Sequence, residues 1–237
     1  MNPQEYLDKN FTKIRLIHET KTSEIWLMIA NAINFVCIAK IIERTDLPYI
    51  QLQRLKHRNL PKIYYAAEYD ETTYVLEEFL QGMTLDNYIR VHGKFDESTV
   101  KNFALGLCDC LKLLHNKKII HRDIKPKNLF LTNDCVIKLI DFDAGRLEKS
   151  AQIHDTEILG TEGYAAPEQY GFQQTDCRTD IYALGMTLKE ILIEPHSNFM
   201  SKVIEKCIAF DPLQRFQNTS ELLNALENNF FNRLKLF

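Results

Sequence analysis

The segment from His121 to Asn128 is the sequence feature that most constrains this chain, because it places charged and amide side chains between two apolar elements. Its residues are His-Arg-Asp-Ile-Lys-Pro-Lys-Asn. Before it, apolar residues recur at helical spacing from Ser98 to Lys117 and predict a buried helix. After it, the apolar residues of 136–140 predict a short strand that delivers Asp141. The predicted order is therefore helix, polar loop and strand, with acidic residues in the loop and at the end of the strand.

The polar residues of this region can carry out phosphoryl transfer. Asp123 can orient and deprotonate a hydroxyl, while Lys125 can offset charge on the transferring phosphoryl group. Asn128 and Asp141 can hold Mg²⁺ between nucleotide oxygens. The alternative, a charged surface loop, would match the complete set only by chance. The sequence therefore predicts two catalytic residues, Asp123 and Lys125, and two metal ligands, Asn128 and Asp141.

Length and composition are ordinary for a globular protein and argue against several classes of function. The 237 residues allow one sizeable domain or two small lobes. The formal net charge of -3 provides no broad basic field, so we expect no nucleic acid as a partner. No apolar run approaches the roughly 20 residues that span a bilayer, so we expect no membrane insertion. The six cysteines lack the spacing of a zinc site, and we expect reduced thiols and a cytoplasmic location.

Strand patterns come first in the chain and helical patterns come later. Apolar and β-branched runs in the early part predict strands, with one brief helical pattern between them. This order predicts an α+β fold with a small, mainly β N-lobe of residues 1–80 and a larger, mainly α C-lobe of residues 81–237, together forming one domain. The predicted strands are Phe35–Ala39 and Thr73–Leu76, and the predicted helices are Tyr49–Lys56, one that opens at Asp180, Met200–Ile208 and one around Leu222.

Three motifs in the chain resemble those of protein kinases. The loop at 121–128 is similar to the kinase pattern H-R-D-x-x-x-x-N, and Asp141-Phe142-Asp143 is similar to D-F-G. The segment from Gly160 to Glu168 resembles the kinase element G-T-x-x-Y-x-A-P-E. The resemblance extends over nearly the whole chain, roughly from Phe11 to Leu226. The run from Tyr164 to Gly185 is most similar to bacterial Hanks-type serine/threonine kinases.

The resemblance implies a bilobal protein kinase fold and an ATP-dependent transfer of the γ-phosphate to serine or threonine hydroxyls of proteins, including autophosphorylation, with Mg²⁺ or Mn²⁺. It implies that Thr161 contacts Asp123 and Lys125 as a third catalytic residue. The implied ATP-binding residues are Lys40, Ile17, Ile25, Ile38, Glu77, Glu78, Leu80 and Phe130. The implied structural or regulatory residues are His121, Arg122, Phe142, Glu168 paired with Arg215, Asp180, and the candidate phosphate acceptors Ser150 and Thr156, which are equally compatible with ordinary loop hydroxyls.

The chain departs from the kinase pattern at the glycine-rich loop. His18, Thr20 and Ser23 stand where the family has glycines, which let the backbone approach phosphate closely. Side chains at these positions are expected to weaken ATP binding by roughly 1 kcal/mol or more, about tenfold in affinity. Asp143 replaces the glycine of D-F-G, which restricts the backbone but leaves Asp141 able to bind metal.

The acidic partner that the family gives to Lys40 is missing. Pro48 stands near its position, so the helix there must be short, since proline is tolerated only in the first turn. One hypothesis is that Glu77 pairs with Lys40 instead, at the back of the adenine pocket. The alternatives are that Glu43 or Asp46 serves, or that Lys40 has no fixed partner.

Three functions are compatible with these residues. The first is an active protein kinase, which the complete set of catalytic residues favours. The second is a pseudokinase acting as a nucleotide-sensitive binding module, favoured by the missing glycines and the missing acid. The third is a small-molecule kinase, a class that usually lacks the segment from Thr161 to Glu168. The short connection Glu194–Asn198 suggests that substrate selection depends on a docking or regulatory protein, and the sequence does not determine the oligomeric state.

Overall fold

The structure, a computed structural model, describes residues 2–148, 161–170 and 175–234. The chain divides into two compact units, of which unit 1 ends at Gln81 and unit 2 begins at Gly82. Within the described residues, no helix has the length and apolar character needed to cross a membrane. None of the six cysteines, all of which lie in the described part of the chain, forms a disulfide. The reduced state of the thiols stays a prediction.

Unit 1 is built around an antiparallel sheet of five strands. Its elements are α1 (Pro3–Asn10), β1 (Phe11–Glu19), β2 (Ser23–Ala30), β3 (Phe35–Ile42), α2 (Tyr49–Leu52), β4 (Ile63–Tyr69) and β5 (Thr72–Glu78). The strand order across the sheet is β1-β2-β3-β5-β4. Strands β3 and β5 are therefore neighbours although they are distant in sequence.

One face of this sheet forms the hydrophobic core of unit 1. Side chains at every second position of a strand share a face, and here they form a cluster that α1 covers. Helix α1 is not among the elements predicted from the sequence, although its capping signal is present. The Asn2 side chain accepts from the Glu5 amide at 2.7 Å, and the Glu5 carboxylate accepts from the Asn2 amide at 3.3 Å. The buried cluster contains Leu7, Met28, Cys37, Ala39, Tyr74 and Leu76.

Unit 2 is mainly helical and carries two small sheets. Its elements are β6 (Gly82–Thr84), α3 (Leu85–His92), α4 (Glu97–Asn116), β7 (Ile119–Ile120), β8 (Leu129–Thr132), β9 (Ile137–Leu139), β10 (Arg146–Leu147), α5 (Cys177–Ile191), α6 (Asn198–Cys207) and α7 (Thr219–Leu234). The sheets are β6-β8-β9 and β10-β7. Helix α4 buries its apolar face against α5 and α7, so the loop after β7 starts from a rigid base.

The α+β order predicted from the sequence is confirmed, because the sheet of unit 1 precedes the helices of unit 2. One predicted helix is shorter than expected: the pattern from Tyr49 to Lys56 forms only α2, which ends at Leu52. After that residue, the amide of Leu55 donates to the carbonyl of Leu52, a 3₁₀-type bond that ends the helix. Helix α5 begins at Cys177 rather than at Asp180, because an aspartate immediately before it caps the first turn.

The close contact between α5 and α6 depends on Gly185. A Cβ atom at this position would lie 2.5 Å from the Cβ of Cys207 and 2.9 Å from Cγ2 of Ile208. The two helices therefore meet at a point where only glycine fits. This contact supports α5, the helix that carries Asp180.

We expect Gly185→Ala to lower the free energy of unfolding by about 1 kcal/mol or more, because overpacking of the α5–α6 contact outweighs the gain in helix propensity. Urea denaturation followed by circular dichroism measures the change. The control is Lys189→Ala on the exposed side of the same helix, which should shift the free energy by less than about 0.5 kcal/mol. Unchanged stability of the Gly185 variant would contradict the tight contact.

Candidate active site

The loop after β7 is held by the buried carboxylate of Asp180. This carboxylate accepts hydrogen bonds from the backbone N–H groups of His121 at 3.0 Å and Arg122 at 2.8 Å. His115 Nε2 lies 2.7 Å from Asp180 Oδ2. Burial alone would raise the pKa of Asp180, but the hydrogen bonds from His115 and from the backbone lower it below its ordinary value. Asp180, which the resemblance implies as a structural residue, therefore holds the backbone of this loop.

Two residues of the site have left-handed backbones. Arg122 has a φ of 69° and Asp141 a φ of 65°. Such angles are uncommon for residues with a side chain and persist where surrounding contacts hold them. At Arg122, the hydrogen bond to Asp180 is one of these contacts. Because Arg122 directly precedes Asp123, its conformation determines where the Asp123 carboxylate lies.

Asp123, Lys125 and Thr161 form a closed triangle of hydrogen bonds. Lys125 Nζ donates to Asp123 Oδ2 at 2.7 Å and to Thr161 Oγ1 at 2.6 Å. Thr161 Oγ1 donates to Asp123 Oδ1 at 2.8 Å. The side chains of Asp123 and Lys125 are 15% and 17% exposed, so they remain accessible to a substrate. The contacts that the resemblance implies for Thr161 are therefore present.

His121 joins this loop to the residues around Asp141. Its Nε2 lies 3.1 Å from the carbonyl oxygen of Ile140, and its Nδ1 accepts from the amide of Asp123 at 3.3 Å. The two contacts require a neutral ring with its proton on Nε2. Burial lowers the pKa of His121 and favours this neutral form. The ring also packs edge-on against Phe142, with 4.6 Å between centroids.

The predicted metal ligands Asn128 and Asp141 lie at neighbouring ends of β8 and β9. The carbonyl of Asn128 accepts from the amide of Ile140 at 2.9 Å. The Asn128 Nδ2 group donates to Asp123 at 2.8 Å, which orients the amide. Within the described residues, no group of three or more His, Cys, Asp or Glu side chains could hold a metal. Two oxygen donors fit Mg²⁺, which commonly takes its other ligands from substrate phosphates and water.

Lys40 of unit 1 forms a buried ion pair with Glu77. Lys40 Nζ lies 3.5 Å from Glu77 Oε1, and both side chains are at most 10% exposed. Lys40 Nζ also donates to the Tyr49 hydroxyl at 3.1 Å. Glu43 and Asp46, the alternative partners, are exposed. The hypothesis that Glu77 pairs with Lys40 is therefore confirmed.

The predicted adenine-contacting residues of unit 1 occupy one face of its sheet. Ile25 pairs with Lys40, and Ile38 pairs with Glu77. Directly paired residues of antiparallel strands lie on the same face. This is the face opposite the core that α1 covers. Ile17 lies in a β-bulge of β1 and is exposed.

The other predicted nucleotide-contacting residues lie at the end of β5 and in unit 2. The Glu78 carboxylate accepts from the amide of Lys62 at 3.0 Å. Leu80 follows β5 and is partly buried. Phe130 belongs to β8 of unit 2, where it pairs with Thr84 of β6. Their contribution to ATP binding stays a prediction.

Hydroxyl groups stabilise the tip of the hairpin between β1 and β2, where the family has glycines. The amide of Thr20 donates to the carbonyl of Ser23 at 2.9 Å, and the two hydroxyl oxygens are also 2.9 Å apart. Glu43 donates its amide to the carbonyl of Thr22 at 2.8 Å. No residue of the described segment 11–30 has a positive φ. The tip therefore adopts angles that residues other than glycine tolerate.

The ion pair expected between Glu168 and Arg215 is present and buried. The Arg215 guanidinium donates to both carboxylate oxygens, at 2.7 and 2.9 Å. Thr179 Oγ1 donates to the same carboxylate at 2.9 Å. This bidentate pair connects the turn Pro167–Tyr170 to the residue that follows the turn Pro212–Gln214, ahead of α7.

Sequence reasoning did not select three residues that contact the predicted site: Tyr49, His115 and Gln169. A signal exists for Tyr49, which directly follows the proline at the position of the missing acid. Arg122, which the resemblance implies as a structural or regulatory residue, is 3% exposed. The candidate acceptors Ser150 and Thr156 lie outside the described residues.

Comparison with known proteins identifies the family. The family model described as the protein kinase domain matches residues 49–229, well over half of the chain. This chain belongs to the protein kinase family. The match includes the loop at 121–128, Asp141 and the Glu168–Arg215 pair, while Lys40 and the β1–β2 hairpin lie before it.

Several curated proteins are similar to this kinase domain. A probable serine/threonine-protein kinase of Clostridium acetobutylicum is 29% identical over 74% of this chain and 31% of the relative. Serine/threonine-protein kinase PknA of a Nostoc species is 31% identical over 71% of this chain and 35% of the relative. PrkC of Bacillus subtilis is 34% identical over 58% of this chain and 22% of the relative. The chain thus spans about a third or less of the length of these relatives.

In this kinase domain, Glu77→Gln should lower the free energy of unfolding by roughly 3–5 kcal/mol, because it leaves the buried Lys40 ammonium without its carboxylate. The single tryptophan, Trp26 in β2, reports on unit 1, so urea denaturation followed by its fluorescence measures the change. Glu43→Gln is the control, and this exposed substitution should cost less than about 0.5 kcal/mol. Equal effects of the two variants would argue against the Lys40–Glu77 pair.

His121 should make the stability of the kinase domain depend on pH. Its pKa in the folded state lies below the ordinary value of 6.5, so the unfolded state binds more protons as the pH falls below that value. Stability is therefore fully present above pH 6.5 and declines as the pH falls towards the folded pKa, with a slope of at most about 1.4 kcal/mol per pH unit.

Urea denaturation at a series of pH values from about 7.5 to about 5 tests this dependence. His121→Gln should show a shallower slope than the wild-type chain. His18→Asn, a substitution at an exposed histidine, should keep the wild-type slope. Parallel curves for the His121 variant and the wild type would show that His121 does not titrate in this range.

Proposed function

We propose that this chain is an ATP-dependent protein kinase that transfers the γ-phosphate to serine or threonine hydroxyls. The observation that carries the proposal is the closed triangle of Asp123, Lys125 and Thr161, with three hydrogen bonds of 2.6 to 2.8 Å. It places a carboxylate and an ammonium together, as the attack of a hydroxyl on a phosphoryl group requires. Family membership supports the same reaction.

Five side chains of unit 2 have a defined role in this proposal. Asp123 orients the substrate hydroxyl and receives its proton while the oxygen bonds to the γ-phosphorus and the bond to the ADP leaving group breaks. Lys125 offsets the charge that develops on the transferring group. Asn128 and Asp141 would hold Mg²⁺ or Mn²⁺, which supplies charge neutralisation to the phosphates when bound. Thr161 hydrogen-bonds to the Asp123 carboxylate and the Lys125 ammonium and keeps both groups in place.

The residues of unit 1 are proposed to bind the nucleotide. Lys40 would contact its phosphate oxygens, with Glu77 and Tyr49 orienting the ammonium. Ile25 and Ile38 share the sheet face of Lys40 and would contact the adenine ring. Glu78 and Leu80 would offer backbone groups to the adenine edge.

Serine/threonine specificity and the protein substrate follow from the Thr161–Glu168 segment. Its threonine contacts both Asp123 and Lys125, and the relatives with bacterial origin are named serine/threonine-protein kinases. We further propose autophosphorylation, a docking or regulatory protein, a bacterial type of kinase and a cytoplasmic location. The location is supported by cysteines that form no disulfide in the described residues.

Phosphate incorporation tests the proposal directly. The recombinant chain is incubated with ATP and Mg²⁺ or Mn²⁺, alone and with a peptide library carrying serine or threonine, and masses are measured. We expect phosphate on the peptides and on the chain, and loss of at least about 100-fold in rate for Asp123→Asn. The control Asp109→Asn makes the same substitution at an exposed residue of α4 and should retain the wild-type rate.

The alternative functions give different results. A pseudokinase would transfer no phosphate to either acceptor in either metal, although ATP could still raise its melting temperature. A small-molecule kinase would leave protein and peptides unmodified while consuming ATP when its own substrate is present. Either pattern would overturn the proposed function.

A further inference from the structure

Gln169 bridges the catalytic loop and the segment that carries Thr161. Its side chain is only 1% exposed. Its Nε2 donates to the carbonyl oxygen of Arg122 at 2.9 Å, and its Oε1 accepts from the amide of Ala166 at 3.0 Å. The side-chain amide of Gln169 thus hydrogen-bonds to one backbone group of the catalytic loop and to one of the segment that carries Thr161.

The carbonyl that Gln169 holds belongs to the peptide unit that carries Asp123. The oxygen of Arg122 and the nitrogen of Asp123 lie in the same planar group. The nitrogen end of this group donates to His121 Nδ1 at 3.3 Å, and the preceding peptide donates to Asp180 at 2.8 Å. Gln169 therefore restrains the remaining end of the peptide from which the Asp123 side chain extends.

This restraint acts at a strained point of the backbone. Arg122 has a φ of 69°, a conformation that surrounding contacts must maintain. If the Arg122 carbonyl is released, rotation of its peptide changes the position of Asp123 directly. A misplacement of about 1 Å at a reacting group costs on the order of 100-fold in rate.

We propose that Gln169 is a positioning residue that couples the Thr161–Gln169 segment to Asp123 through the carbonyl of Arg122. The coupling rests on the proposed function: docking of this segment on the loop restrains Asp123, whose carboxylate accepts the substrate proton, in addition to the hydrogen bonds from Lys125 and Asn128. Thr161 links the same segment to the Asp123 carboxylate itself. The segment therefore restrains Asp123 at both its backbone and its side chain.

The position requires an amide, because the side chain must donate at one end and accept at the other. Methionine has a similar size, but its side chain has no hydrogen-bond donor and only a weak acceptor. An introduced carboxylate would place oxygen against the Arg122 carbonyl and lose the donor. When protonated, the same carboxyl regains an O–H that can donate, and burial raises the pKa of such a group. The charged side chains on the two segments that Gln169 bridges are Arg122, Asp123, Lys125, Lys127, Glu162 and Glu168. Asp180 of α5 accepts from the amide of Arg122.

The first test compares Gln169→Met with Gln217→Met in the full chain. Gln217 is exposed and also donates to backbone carbonyls, at 2.8 to 3.2 Å, so it controls for the loss of such bonds elsewhere. We expect Q169M to lower kcat by about 10- to 100-fold while the KM for ATP changes less than about twofold, and Q217M to change neither. A kcat of Q169M within about twofold of wild type would overturn the proposal.

The second test measures kcat as a function of pH. A purely structural role of Gln169 would not make the effect of the substitution depend on pH. The ratio of the Q169E kcat to the wild-type kcat should rise as the pH falls from about 8.5 to about 6, because the introduced carboxyl regains its proton. A ratio that does not change with pH would overturn the proposal. Because this test uses Q169E, it still tests the positioning role of Gln169 if Q169M fails to fold.

The third test requires no catalytic activity. Hydrogen exchange of the peptide covering residues 119–129 should be faster in Q169M than in wild type and unchanged in Q217M. Faster exchange confined to residues 161–170 would indicate a role in the turn alone and overturn the coupling. If the wild-type chain transfers no phosphate, the proposed function fails, while this comparison still decides whether Gln169 restrains the loop.

Discussion

The buried carboxylate of Asp180 is the interaction on which the rest of the candidate site depends. An ionised carboxylate inside a protein is costly unless it is well hydrogen-bonded. Here two backbone amides of the loop and the ring of His115 supply those bonds. The same bonds keep Arg122 in a left-handed conformation that would otherwise be unfavourable. The same hydrogen bonds therefore stabilise the buried carboxylate and determine the conformation of the loop.

The peptide groups that follow Arg122 in the loop are also restrained by side chains, which come from separate elements. The carbonyl of Asp123 accepts from Asn128 at 2.8 Å, and the carbonyl of Ile124 accepts from Thr187 of α5 at 3.2 Å. Buried peptide groups need such partners in any fold. In this kinase domain the partners come from α5, the turn at 167–170 and the start of β8, so the packing of unit 2 determines the geometry of the loop.

Unit 1 shows how sheet register replaces a missing acidic residue. Helix α2 has only four residues and begins after a proline, so it offers little room for the usual glutamate. Glu77 lies on β5 opposite Ile38 of β3, which places its carboxylate on the same face as Lys40. The pairing of two strands therefore supplies the partner, and Tyr49 of α2 adds a hydroxyl. Charge balance around Lys40 does not require an acid on α2.

The sequence by itself determined the order of strands and helices and the residues of the catalytic loop, because chemistry needs particular side chains at short, recognisable spacings. It also led to the Glu168–Arg215 and Asp180 contacts through resemblance. Only the tertiary structure decided between Glu77 and its alternatives, and revealed Gln169 as a contact of the catalytic loop. The physical reason is that these contacts join residues distant in sequence, and register and packing, rather than local pattern, determine which polar groups come within hydrogen-bonding distance.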